Sequence, residues 1–107
     1  MTNLTEMAES TSLIDGWDSW DVIAEEIELT PEQIKRLEDV PSIEDKTFSG
    51  VRIVTEASSG RFYVSVIAPN RKAFRLWGDK ICETSEEALK YHYAALNYIN
   101  EFGDFSI

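Results

Sequence analysis

The sequence predicts an α+β fold in which N-terminal acidic helices precede a three-stranded antiparallel sheet packed on one C-terminal helix. Three observations carry that expectation. Apolar residues recur at helical spacing over residues 17–28. Three runs, 51–55, 61–67 and 72–77, alternate as strands do and are separated by "EASSG" and "APNR", rich in turn-forming Gly, Ser, Pro and Asn. The stretch "TSEEALKYHYAALNYINEFG" opens on a capping box, Thr84 with Glu87, continues through good helix formers and meets Gly103 at the position of a left-handed C-cap. At 107 residues, of which 43% are hydrophobic, the chain has room for one core and one compact domain.

Taken in order, residues 1–12 are small, polar and acidic and read as a flexible tail. Residues 13–46 form an acidic helical segment. In "WDSWDVIAEEIE", Trp17, Trp20, Ile23, Ala24 and Ile27 share one helical face, and Asp18, Asp21, Glu25 and Glu28 form a stripe on the other. "LTPEQIKRLEDV" then places Thr30 as N-cap, Pro31 at the first helical position and Gln33 three residues after the cap, opening a second helix that runs to about Asp39. "PSIEDKTFSG" shows no sustained period and reads as a connection. Residues 47–107 make the βββα unit. Its alternation assigns Val51, Ile53, Phe62, Val64, Val66, Phe74 and Leu76 to the helix-packed face, leaving Arg52, Arg61, Tyr63, Ser65, Arg75 and Trp77 on the other.

The formal net charge of -10 is placed unevenly. Residues 1–46 hold 13 Asp/Glu and 3 Lys/Arg, and residues 47–107 hold 7 of each, so the whole excess lies in the first half. Such a field opposes long-range attraction to phosphate and favours a basic partner. The single cysteine, Cys82, precludes an internal disulfide and suits a reducing compartment. No secretory leader pattern or membrane-length apolar run is present, and the expected location is cytoplasmic.

Little in the sequence suggests catalysis. His92, the single histidine, sits at the packed spacing Ala88, Tyr91, His92, Ala95, Ile99. Cys82 precedes a helix start, where a dipole can activate a thiol, but a small buried hydrophobe is the simpler reading. The acidic residues lack the spacing of a calcium loop, and no metal, small-molecule cofactor or enzymatic activity is expected.

The quoted segments "FSGVR", "SGRFYVSV", "RLWG" and "TSEEALKYHYAAL" together resemble the AP2/ERF-type DNA-binding domain over roughly residues 48–102. In that family a three-stranded sheet backed by one helix lies in the major groove. The resemblance implies Arg52, Arg61, Arg75 and Trp77 as nucleic-acid or partner contacts, in a reduced set, since Ile53, Val54 and Ile67 stand where further contacts would fall; alternation adds Tyr63 to the same candidate face. An N-terminal helix folded over this face, with Trp17 and Trp20 against the arginines, is the structural alternative.

Two functions follow as expectations. The first is a non-catalytic protein-binding module whose acidic stripe, Asp18, Asp21, Glu25 and Glu28, mimics nucleic acid and inhibits a basic nucleic-acid-handling protein, as a phage or plasmid anti-CRISPR inhibitor does. The second is an AP2-like DNA-binding regulator whose acidic N-terminus is autoinhibitory.

Overall fold

A computed structural model describes residues 20–69, Arg75 and residues 78–102. The elements run α1 (Asp21–Glu25), α2 (Pro31–Lys35), β1 (Ser42–Lys46), β2 (Arg52–Ser58), β3 (Arg61–Ile67), β4 (Lys80–Cys82) and α3 (Ser85–Phe102). The four strands form one antiparallel sheet in the order β1-β2-β3-β4.

The sheet therefore has four described strands where the sequence predicts three. β1 lies within the stretch read as a connection. Its single inward apolar residue is Ile43, and the next inward position, opposite Ile53, is a carboxylate, Asp45, so the strand shows no apolar alternation. β4 is three residues long with Ile81 turned outward, too short for a period. The predicted strand over 72–77 lies outside the described residues except Arg75, which bridges Ile67. Phe74, Leu76 and Trp77 likewise lie outside them.

The β2–β3 hairpin closes at the Ser58–Arg61 pair, leaving Ser59 and Gly60 in the turn with φ of 54° and 79°. Two consecutive left-handed residues give the two-residue turn whose twist matches that of the flanking strands. Between β1 and β2, the Thr47 amide donates to the Val51 carbonyl (2.8 Å), the Gly50 amide donates to the Thr47 carbonyl (3.0 Å), and Gly50 has φ of 90°. A Cβ at Gly50 would lie 3.0 Å from the Pro69 Cβ, so both backbone and space demand glycine.

The inner face follows the predicted alternation: Val51, Ile53, Val64 and Val66 are fully buried against α3, together with Thr55 and Cys82. α3 opens as the sequence predicts, with the Glu87 amide donating to Thr84 Oγ1 (3.1 Å). Residues 91–95 are buried without a break, which a helix resting only on a sheet cannot achieve. The N-terminal segment supplies the remaining cover. Trp20 and Ala24 join the core cluster that holds Tyr91 and Ala95, with the Trp20 ring edge-on to Tyr98 at 4.9 Å, and Leu37 and Ile43 share a second cluster with Leu89 and Tyr93. Ile27 touches both clusters.

The chain from Trp20 to Leu37 thus crosses α3, from the β4 side, where Asp21 meets Lys80, to the β1 side, where Arg36 meets Asp45. This corrects the alternative in which the first helix covers the arginine face of the sheet: Trp20 and α1 sit on the apolar side. Trp17 lies outside the described residues. α2 has its predicted capping box, Gln33 N to Thr30 Oγ1 at 3.2 Å and Thr30 N to Gln33 Oε1 at 2.9 Å. It ends at Lys35, ahead of the predicted Asp39, because the chain must turn there to bring Arg36 and Leu37 inward.

Candidate protein-binding surfaces and a buried polar network

The outer sheet face collects the residues singled out by alternation, and the structure pairs most of its described charges. Arg52 donates to Glu44 at 3.1 Å across the β1–β2 pair. Arg75 meets Asp79 at 3.1 Å, and the Ser65 hydroxyl donates to the same carboxylate at 2.6 Å. Arg61 is exposed at the hairpin end, and Tyr63 is half-buried opposite Ile81. This face is mixed: Glu44 and Glu56 stand among the arginines, and Val54, Tyr63 and Ile81 form its middle. Arg52 and Arg75 are each engaged by a carboxylate, which lowers the charge they present to phosphate.

The acidic stripe does not form as a stripe among the described residues. Asp18 lies outside them. Asp21 turns toward α3, where the Tyr91 hydroxyl donates to it at 2.5 Å and Lys80 Nζ lies 3.4 Å away. Burial, then the bond to Asp21, raises the Tyr91 phenol above its ordinary value. Glu28 lies beyond the end of α1, whose helical bounds are Asp21–Glu25 with Glu26 as C-cap.

Glu25 instead joins Glu86 and Glu87 of the first turn of α3 around an open groove of about 470 Å³, floored by Ala24 and Tyr91 and flanked by Thr84 and Lys90. Glu86 and Glu87 also complement the positive N-terminal end of α3. Their gathering with Glu25 could not be read from sequence, because α1 and α3 come from opposite ends of the chain.

A second feature missed by sequence reasoning is Phe48, 94% exposed at the tip of the β1–β2 turn. Its backbone is held by Asn100 of α3, whose side-chain oxygen accepts from the Phe48 amide at 2.8 Å, and Thr47 and Ser49 are joined through their hydroxyls at 3.0 Å. The ring is presented on a fixed turn.

Inside the molecule, His92 is packed as the sequence predicts and is also the hub of a polar network. Its Nδ1 lies 2.9 Å from Thr55 Oγ1, and its Nε2 lies 2.7 Å from Asp45 Oδ2. The same Asp45 oxygen accepts from Arg36 Nη1 at 2.5 Å, and Arg36 Nη1 also donates to the Tyr93 hydroxyl at 2.8 Å. Burial pushes the His92 ring below its ordinary value, against the opposing pull of Asp45. Burial alone would raise Asp45, but the hydrogen bonds from Arg36 and His92 outweigh it and hold the carboxyl below its usual range. The bond to Asp45 raises the Arg36 guanidinium.

The hydroxyl–imidazole–carboxylate order resembles a nucleophilic triad, but Thr55 and His92 are both fully buried, so no substrate reaches this hydroxyl. Its role here is structural: it satisfies five buried or half-buried side chains, Arg36, Asp45, Thr55, His92 and Tyr93, from four parts of the chain. Cys82 is fully buried and its thiol is pushed up to about 12, first by burial and then by Glu87, so the helix start does not activate it.

Among the described residues no group of three or more His, Cys, Asp or Glu is placed to hold a metal ion, and no helix is long and apolar enough to cross a membrane. No family model, curated protein or solved structure matches the chain.

Proposed function

We propose that the chain is a non-catalytic, acidic protein-binding module that engages a basic, nucleic-acid-handling protein and blocks its nucleic-acid channel, in the manner of a phage or plasmid counter-defence inhibitor. The observation that carries this reading is the groove in which Glu25, Glu86 and Glu87 converge on an aromatic floor, within a protein of net charge -10. Carboxylates gathered from two helices suit arginine or lysine side chains that otherwise bind phosphates. Phe48, apolar and pre-positioned, supplies the kind of anchor that dominates interface energetics.

The test is capture of a basic partner, followed by titration of the purified pair. Glu25→Gln, Glu86→Gln and Glu87→Gln together are expected to weaken the complex at least about tenfold, and duplex DNA should compete with the chain for the partner. Unchanged affinity of the triple variant, with no competition by DNA, sinks the proposal.

The DNA-binding reading of an AP2-like regulator keeps one supporting observation: Arg61 and Arg75 are exposed on the outer sheet face. A low-salt gel shift with the full chain, lost on Arg61→Ala with Arg75→Ala, would establish it in place of the first.

A further inference from the structure

We propose that the segment from Thr30 to Lys46, carrying α2 and β1, is an acid-released flap latched onto the rest of the molecule through His92.

The latch has two sides. The flap contributes Arg36 and Asp45; the body contributes His92 and Tyr93 from α3 and Thr55 from β2. The flap's buried apolar attachment is confined to two side chains. α2 has no buried residue, and Leu37 and Ile43 are its fully seated side chains, resting on Leu89 and Tyr93. Among the described strands β1 lies at the edge of the sheet, beside β2. These are the features of a segment that opens locally before the whole domain unfolds.

Proton counting at His92 makes the latch sensitive to acid. Ionised Asp45 can only accept, so the neutral imidazole carries its proton on Nε2, donating to Asp45, and Nδ1 accepts from the Thr55 hydroxyl. Every group is satisfied in that one arrangement. A second proton on Nδ1 turns the acceptor facing Thr55 into a donor and forces that buried hydroxyl to reverse its bond. It also places two cations, imidazolium and the Arg36 guanidinium, on one Asp45 oxygen inside a site with no solvent at the ring. The charged groups that bear on His92 are Asp45 from β1 and Arg36 from the turn after α2. β2 offers the neutral Thr55, and the inner face of β3 offers Phe62, Val64 and Val66.

The sign follows. The folded histidine lies below its ordinary value of 6.5, so the closed flap is fully favoured above that pH and loses stability as pH falls below it. Opening exposes Leu89 and Tyr93 of α3 and frees the acidic α2 segment.

The test is residue-resolved amide exchange of the intact chain, corrected for intrinsic rates, at about pH 7.5 and about pH 5. Protection in α2 and β1 is expected to fall at least about tenfold while that of β3 and the centre of α3 is kept, in step with a His92 ring titration whose midpoint lies below the unperturbed value. As the single histidine, His92 gives an unambiguous ring signal, and the neutral form should be the Nε2–H tautomer. His92→Gln, neutral at every pH, should abolish the acid response of the flap. If that variant does not fold, the native titration decides alone. A uniform loss of protection, no loss at all, or a midpoint at or above 6.5 overturns the proposal.

Discussion

Deleting residues 1–46 from this chain should abolish folding, although those residues carry all of its excess charge. Trp20, Leu37 and Ile43 are 1%, 7% and 8% exposed, and each sits in a cluster built on α3. Truncating a core tryptophan costs about 3–5 kcal/mol and a core leucine or isoleucine about 2–5, so these three alone contribute about 7–15 kcal/mol. A whole domain is stable by about 5–15 kcal/mol, and the deletion also strips β1 from the sheet. Residues 47–107 therefore lack a folded state at ambient temperature. Far-UV circular dichroism with a thermal melt, and a two-dimensional amide spectrum, provide the assay. A cooperative melt with dispersed amide signals from the 47–107 fragment would refute the reasoning and show the acidic half to be a separable appendage. The same arithmetic means that a gain of DNA binding cannot be sought by this truncation; charge substitutions in the intact chain are the sound route.

Further outcomes follow from individual contacts. Asp45→Asn should lower stability by about 1.5–3 kcal/mol in urea unfolding, since two hydrogen bonds lose their charge, with the half-exposed Arg36 side contributing less. Gly50→Ala should cost about 1–3 kcal/mol and more than Gly60→Ala, because both have positive φ but only Gly50 faces a neighbouring Cβ at 3.0 Å. Cys82 should resist alkylation at neutral pH until the chain is unfolded, its thiol being buried and held at about 12; stoichiometric labelling of the native protein would contradict that. Phe48→Ser should leave stability within about 0.5 kcal/mol of the parent, as an exposed side chain with no burial to lose.

The sequence makes local devices legible where one residue type has one physical use. Thr30-Pro31-Gln33 announces the start of α2, Thr84 and Glu87 announce α3, and the alternation of Val51, Ile53, Val64 and Val66 marks which side of the sheet is buried. What escapes is where polar groups replace apolar ones. Asp45 occupies an inward strand position because His92 and Arg36 lie 47 and 9 residues away to receive it, and no window of sequence holds both partners. The acidic stripe fails for a related reason. Helical spacing fixes which residues share a face of α1, but not that Tyr91 and Lys80 draw Asp21 inward while Glu25 stays out to meet Glu86 and Glu87. The outer arginines are visible as arginines, and their carboxylate partners appear only with the register that sets Glu44 beside Arg52.

The passage of the 20–40 segment across α3 also bears on how the protein is made. A ribosome delivers Trp20 early, yet the surface that receives it, Tyr91, Ala95 and Tyr98, is among the last described parts to emerge. Contacts of such long sequence separation form slowly, and apolar groups awaiting them are open to association with other chains. The core around Trp20 therefore cannot close before α3 has been made. The negative charge of residues 1–46, which are made before α3, opposes association between such unfinished chains before any partner is met.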